Sequence, residues 1–94
     1  MNSNKRLPSV TIIIITWNVE RTISKVLSSI RMQDYPESLV DILAVDGNST
    51  DNTVKLITSY GKNAKVIQSK YPKDPEACRG VGLKAAKGDI IAFI

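Results

Sequence analysis

The apolar positions of this chain change rhythm in a regular order. Val10-Thr11-Ile12-Ile13-Ile14-Ile15 is an almost unbroken β-branched run. Such a run suits a central parallel strand covered on both faces, not a strand with one wet side. From Val19 the apolar residues fall at Val19, Ile23, Val26, Leu27 and Ile30, the spacing of one helical stripe. Asn18 stands where an N-cap for that helix is needed. Pro36 closes the segment, and Val40 to Val45 reads as a second buried strand ending in Asp46.

The polar turn Gly47-Asn48-Ser49-Thr50 comes next, and Val54, Ile57 and Tyr60 mark a short second helix with Gly61 as its C-cap. Ala64 to Gln68 predicts a third strand and Tyr71 to Asp74 a loop. Asp74 as N-cap, Pro75 at the first helical position and Gly88 beyond the last turn bracket a third helix. Its interior carries Gly80 and Gly82, and each glycine costs a helix roughly 1 kcal/mol against alanine. Two of them point to close approach, either to the sheet or to a ligand. Asp89 to Ile94 begins a fourth apolar strand, and residues 1–8, ending in Pro8, read as a loose tail before a domain at 9–94. Strands alternating with helices through short connections imply right-handed crossovers, hence an α/β half-domain: a four-stranded parallel sheet in three layers, with helices on both faces.

Composition narrows the chemistry. With no His and a single Cys at position 78 among 94 residues, zinc fingers, Ser-His-Asp and Cys-His machinery and an internal disulfide are all excluded. A lone Cys fits a reducing, cytoplasmic setting, and Cys78 reads as a small packed thiol. Thirteen Lys and Arg against nine Asp and Glu give a net charge of +4. The charge forms no block, so it reads as solubility with a mild attraction for anions, not as a nucleic-acid surface. No stretch is long and apolar enough to be read as a membrane span.

In an open parallel sheet, ligands bind beyond the carboxyl ends of the strands where the order reverses. Those ends are Thr16-Trp17-Asn18, Asp46 through Asp51, and Ser69-Lys70. Asp46 leaves a buried strand into a turn that opens a helix, and a carboxylate there can accept from a base N–H or a ribose hydroxyl. Ser49, Thr50 and Asp51 read equally well as helix caps or as ligand contacts. A dinucleotide fold would require a G-x-G-x-x-G turn after the first strand, and Thr16 through Arg21 contain no glycine. A flavodoxin-like regulatory or assembly module, with Asp46 incidental, is the remaining alternative.

Three segments together resemble a known family: Val10 through Asn18, Val45-Asp46-Gly47-Asn48-Ser49-Thr50-Asp51-Asn52-Thr53, and Arg79-Gly80-Val81-Gly82-Leu83-Lys84-Ala85-Ala86-Lys87-Gly88-Asp89 through Ile94. They are similar to the amino-terminal, nucleotide-sugar-binding half of inverting family 2 glycosyltransferases of the GT-A fold, over nearly the whole chain from Ser9. The resemblance implies strand order 3-2-1-4 and a parent enzyme that moves a sugar from a nucleoside diphosphate to an acceptor hydroxyl with inversion. It implies a nucleotide site at Thr16, Trp17, Asn18, Asp46, Asn48, Ser49 and Arg79. Thr16 and Trp17 would line the base, although a Trp at a strand end is as often core. Asp46 would grip the nucleoside, and Arg79 would offset phosphate charge. Gly47 and Asn48 follow the family's less acidic turn, and Gly80 stands where the family has Asn.

Family members follow the strand matching Ile90 to Ile94 with an Asp-x-Asp motif that holds magnesium or manganese against the diphosphate. The resemblance therefore places a divalent metal in the whole enzyme, none in these residues, and no catalytic residue here. The 94 residues alone are expected to be inactive. An apolar edge at Ile90 to Ile94 would recruit another copy of the chain, giving a homo-oligomer. Many relatives carry a membrane segment after the catalytic domain, which would set the whole protein on the cytosolic face of a membrane.

Overall fold

The computed structural model describes residues 7–94. Four strands, β1 (Val10–Thr16), β2 (Val40–Asp46), β3 (Ala64–Gln68) and β4 (Ile90–Phe93), alternate with α1 (Glu20–Arg31), α2 (Thr53–Tyr60) and α3 (Pro75–Ala85). All pairings are parallel and the order is β3-β2-β1-β4, as the resemblance implied. The sheet order reverses at β1, which has β2 on one flank and β4 on the other.

Alternation along the strands divides the core in two. Ile14, Ile42, Ala44 and Ala64 pack under Ile23 and Leu27 of α1 and Ile57 of α2. Ile13 and Val45, one position out of phase, pack against Cys78 of α3 on the other face. Each fully buried Ile or Leu contributes about 1.5–3 kcal/mol, so the helical stripe that begins at Val19 is explained by what it covers.

Gly82 resolves one alternative left open by the sequence. A Cβ there would lie 2.8 Å from Ile13 Cγ2 and 3.3 Å from Val45 Cγ2, so this glycine lets α3 settle onto the sheet. Gly80 faces open space, with nothing within 4 Å of the Cβ position. Asp74 caps α3 by accepting from the Ala77 N–H at 3.1 Å, with Pro75 in the first turn. Gly61 closes α2 at φ 150°.

The expected cap of α1 is corrected. Val19, not Asn18, occupies that position and supplies no side-chain cap. Asn18 has φ 48° and directs its amide to the loop after β2. A short 3-10 turn at Glu37–Leu39, unread in the sequence, leads into β2. Of the expected tail, residues 1–6 lie outside the described residues. Pro8 is held by the Tyr35 hydroxyl, which donates to its carbonyl, and Ser9 by the Asp89 carboxylate. Among the described residues no helix is long and apolar enough to cross a membrane.

Candidate functional site

Two loops form the rim at the carboxyl ends of β1 and β2, and each completes the other. The Asn18 side-chain oxygen accepts from the Thr50 N–H at 2.7 Å, while the Asn18 N–H donates to Ser49 Oγ at 2.9 Å. Thr53 Oγ1 accepts from the Val19 N–H at 2.9 Å, and Asp51 accepts from the Glu20 N–H at 3.2 Å. The free donors at the start of α1 are thus met by α2's loop. Asp51 also accepts from the Thr53 N–H and hydroxyl. These bonds hold its carboxyl below the usual carboxylate range even though desolvation pushes the other way. Asn18 and Asn48 both adopt positive φ, which Asn tolerates better than most residues.

Asp46 is the hub of the rim. Register sets Thr16, Asp46 and Gln68 side by side across three strands. Its Oδ1 accepts from Thr16 Oγ1 at 2.7 Å and Ser49 Oγ at 2.6 Å, and its Oδ2 from the Ser49 N–H at 2.8 Å and Gln68 Nε2 at 3.1 Å. Burial alone would raise its pKa. The bonds from Ser49, Thr16 and Gln68 outweigh burial and hold it below the ordinary value. At 0% exposure, the carboxylate read in the sequence as open to a nucleoside is already occupied by its own chain. It lies on the face of Ile42 and Ala44, under α1 and α2, because alternate residues of a strand point to opposite faces.

The open space lies on the other face. A cleft of about 620 Å³ is walled by Ile15, Thr16, Trp17 and Val19 from the end of β1 and by Gly47 and Asn48 from the end of β2. Pro72, Lys73, Pro75 and Cys78 close it from the β3–α3 side. Trp17 is 62% exposed, so it is not core. Gly47 is required: a Cβ there would sit 2.9 Å from the Pro72 carbonyl oxygen. Cys78 is buried and bonded to Ser69 Oγ at 3.2 Å, as a packed thiol. A smaller cavity of about 240 Å³, near Arg31, Tyr60 and Asn63, lies at the opposite ends of the strands.

Of the residues singled out in the sequence, Thr16, Trp17 and Asn48 line the cleft, while Asn18, Asp46 and Ser49 form the network behind its rim. Arg79 does neither, since its guanidinium pairs with Glu76 at 2.8 Å outside the cleft. The lining positions of Pro72, Lys73 and Cys78 were missed: the sequence presented Tyr71 to Asp74 only as a loop and Cys78 only as a packed thiol. Among the described residues no three metal-binding side chains stand together. The oxygens of Asp46 and Asp51 are engaged by hydrogen bonds, so these residues do not fit a divalent ion.

Known proteins share the sequence pattern and the fold of this chain. The model of the family described as Glycosyl transferase family 2 matches residues 11–94. The chain is 33% identical over 87 residues to the poly(ribitol-phosphate) beta-N-acetylglucosaminyltransferase TarS of Staphylococcus aureus, covering 89% of this chain and 15% of that protein. It is 35% identical over 86 residues to the UDP-Glc:alpha-D-GlcNAc-diphosphoundecaprenol beta-1,3-glucosyltransferase WfgD of Escherichia coli, covering 90% and 33%. Among solved structures, TarS residues 1–349 in complex with UDP-GlcNAc superposes with a TM-score of 0.77 at 29% identity, over 92% of this chain and 26% of that one. The mannosyltransferase PcManGT of Pyrobaculum calidifontis, in complex with GDP-Man and Mn2+, gives 0.79 at 27% identity, over 89% and 26%. The chain spans about a third or less of these proteins. The superpositions show that this chain and those transferases share a fold, here a parallel sheet in the order 3-2-1-4, and the chain belongs to glycosyl transferase family 2.

Proposed function

We propose that this chain is the donor-nucleotide side of an inverting glycosyltransferase that takes its sugar from a nucleoside diphosphate. The supporting observation is the cleft at the tips of β1 and β2, walled by apolar side chains and an exposed Trp17, of a size for a nucleoside. In the transfer, the acceptor oxygen bonds to the anomeric carbon as the bond from that carbon to the diphosphate breaks. The electron pair leaves with the diphosphate and the acceptor proton passes to a base. A single displacement of this kind inverts the anomeric centre. No described residue is assigned as that base, so these residues bind and orient. Trp17 stacks on the base, Thr16 and Asn48 line it, and Asp46 acts through Ser49 and Gln68 to fix the turn that carries Gly47 and Asn48. A divalent metal at the diphosphate belongs to the whole enzyme, because the residues described here do not fit one.

Titration of the chain with UDP and GDP tests this reading. Stacking on an aromatic is worth about 1–3 kcal/mol per base, so Trp17→Ala is expected to weaken nucleotide binding roughly tenfold, with Trp17→Phe retaining most of it. Absence of binding to the unmodified chain, or equal affinity in Trp17→Ala, would overturn it.

The edge of β4 supports self-association of the isolated chain. Ile90 and Ile94 lie on one face, Ile91 and Phe93 on the other, and all four are exposed. We expect sedimentation equilibrium to show a dimer or larger species, and Ile91→Lys to shift it to monomer. A monomer at all concentrations would refute the association and leave the nucleotide reading untouched.

A further inference from the structure

The cleft contains a recognition element that the sequence did not disclose. Lys73 contributes the only charged side chain among the residues that line it, and no carboxylate lines it. Among the described residues Lys73 is in no ion pair. The other cation expected at the site, Arg79, is turned to Glu76. An ammonium has three donors and no acceptor. Lys73 lies in the loop between β3 and α3 and lines the same cleft as Trp17. A ring stacked on Trp17 shares the cleft with that ammonium and with no other charged side chain of its lining.

We infer that Lys73 selects the base of the donor nucleotide, favouring a ring with a carbonyl oxygen at the edge that meets the ammonium over one with an amino group there. This rests on the nucleotide reading above and deepens it. Uracil offers O4 at the position where cytosine carries an amino group, and guanine offers O6 where adenine carries one. The oxo base gives the ammonium an acceptor. The amino base sets donor against donor and leaves the lysine to water.

UDP and CDP share sugar, diphosphate and ring, so their affinity ratio for this chain isolates that contact. A hydrogen bond to a charged group is worth about 1.5–3 kcal/mol when sheltered, and at this exposed position we expect UDP to bind roughly tenfold tighter than CDP. Lys73→Met should bring the ratio close to one by weakening UDP alone, and Lys73→Arg, which keeps charged donors, should preserve the preference. The side chain is exposed, so neither variant should disturb folding, which circular dichroism checks. An unchanged ratio in Lys73→Met overturns the inference. Equal weakening of UDP and CDP with uridine unaffected also overturns it, by moving the lysine to the diphosphate. In both of those cases nucleotide binding itself stands, whereas failure of the unmodified chain to bind either UDP or GDP would remove the nucleotide reading and this inference together.

Discussion

Asp46→Asn should lower the melting temperature of the chain by roughly 10–20 °C, the largest loss we expect from an isosteric change. All four groups facing the carboxylate are donors, namely two hydroxyls, a backbone N–H and an amide. An Asn side chain replaces one acceptor oxygen with an NH2 group: at the Oδ2 position it is set against the Ser49 N–H and the Gln68 amide, and at the Oδ1 position it turns both hydroxyls from donors into acceptors, in a buried site that has lost its charge. Hydrogen bonds to a charged acceptor contribute about 1.5–3 kcal/mol, and leaving buried partners unpaired costs about as much again. Because one oxygen of the Asn still accepts, only part of that sum is lost, and a net loss of about 2–4 kcal/mol converts to that shift in a domain of this size. Thermal unfolding followed by circular dichroism measures it, and an unshifted transition would mean that the four bonds are not made. Acid should reproduce part of the effect. The folded pKa of Asp46 lies below its unfolded value near 3.9, so the unfolded state binds the proton more readily. The contribution is therefore complete above about pH 5 and fades as pH falls through 4 toward the folded value. The gap between the parent chain and Asp46→Asn should narrow over that range.

Gly88→Ala should be nearly as damaging, by another mechanism. A Cβ at Gly88 would stand 2.6 Å from the Thr11 backbone nitrogen and 3.0 Å from the Ile90 carbonyl oxygen, and backbone on both sides cannot swing aside. The Gly88 N–H also donates to Thr11 Oγ1 at 2.9 Å, so relief of the clash would break that bond. We expect a loss of roughly 2–4 kcal/mol, concentrated at the seam between β1 and β4. Amide exchange should quicken at Ile90 and Ile94, which donate to Ser9 and Ile13. Gly80→Ala is the control, because it meets nothing and gains helix propensity worth up to about 1 kcal/mol. Equal melting temperatures for the two alanine variants would refute this account of Gly88.

What the sequence disclosed and what it withheld divide along one physical line. The β-branched run before Thr16, the apolar stripe from Val19 and the Asp74-Pro75 start of α3 are local signals, read from neighbours along the chain. They were sufficient for every strand and α-helix, though not for the 3-10 turn at Glu37–Leu39, and, with the family resemblance, for the sheet order. The direction of the Asp46 carboxylate was not local. It follows from Gln68, 22 residues away, and from Thr16, 30 residues away, which only the sheet register brings alongside. Asn18 was misread for the same reason: its partners Thr50 and Asp51 are more than 30 residues distant. Lys73 and Cys78 gave no signal because the cleft they wall exists only once α3 has crossed the sheet. Gly47 was legible as a turn residue, but its need to be bare depends on the carbonyl of Pro72.

The reciprocal bonding of the two rim loops has a consequence for anyone who would graft specificity between relatives. Residues 18–20 and 49–53 hold each other's main-chain donors, so a chimera that imports one segment brings in a half without its mate. The pair is the smallest exchangeable module, and loop transplantation in this architecture is a two-cassette operation.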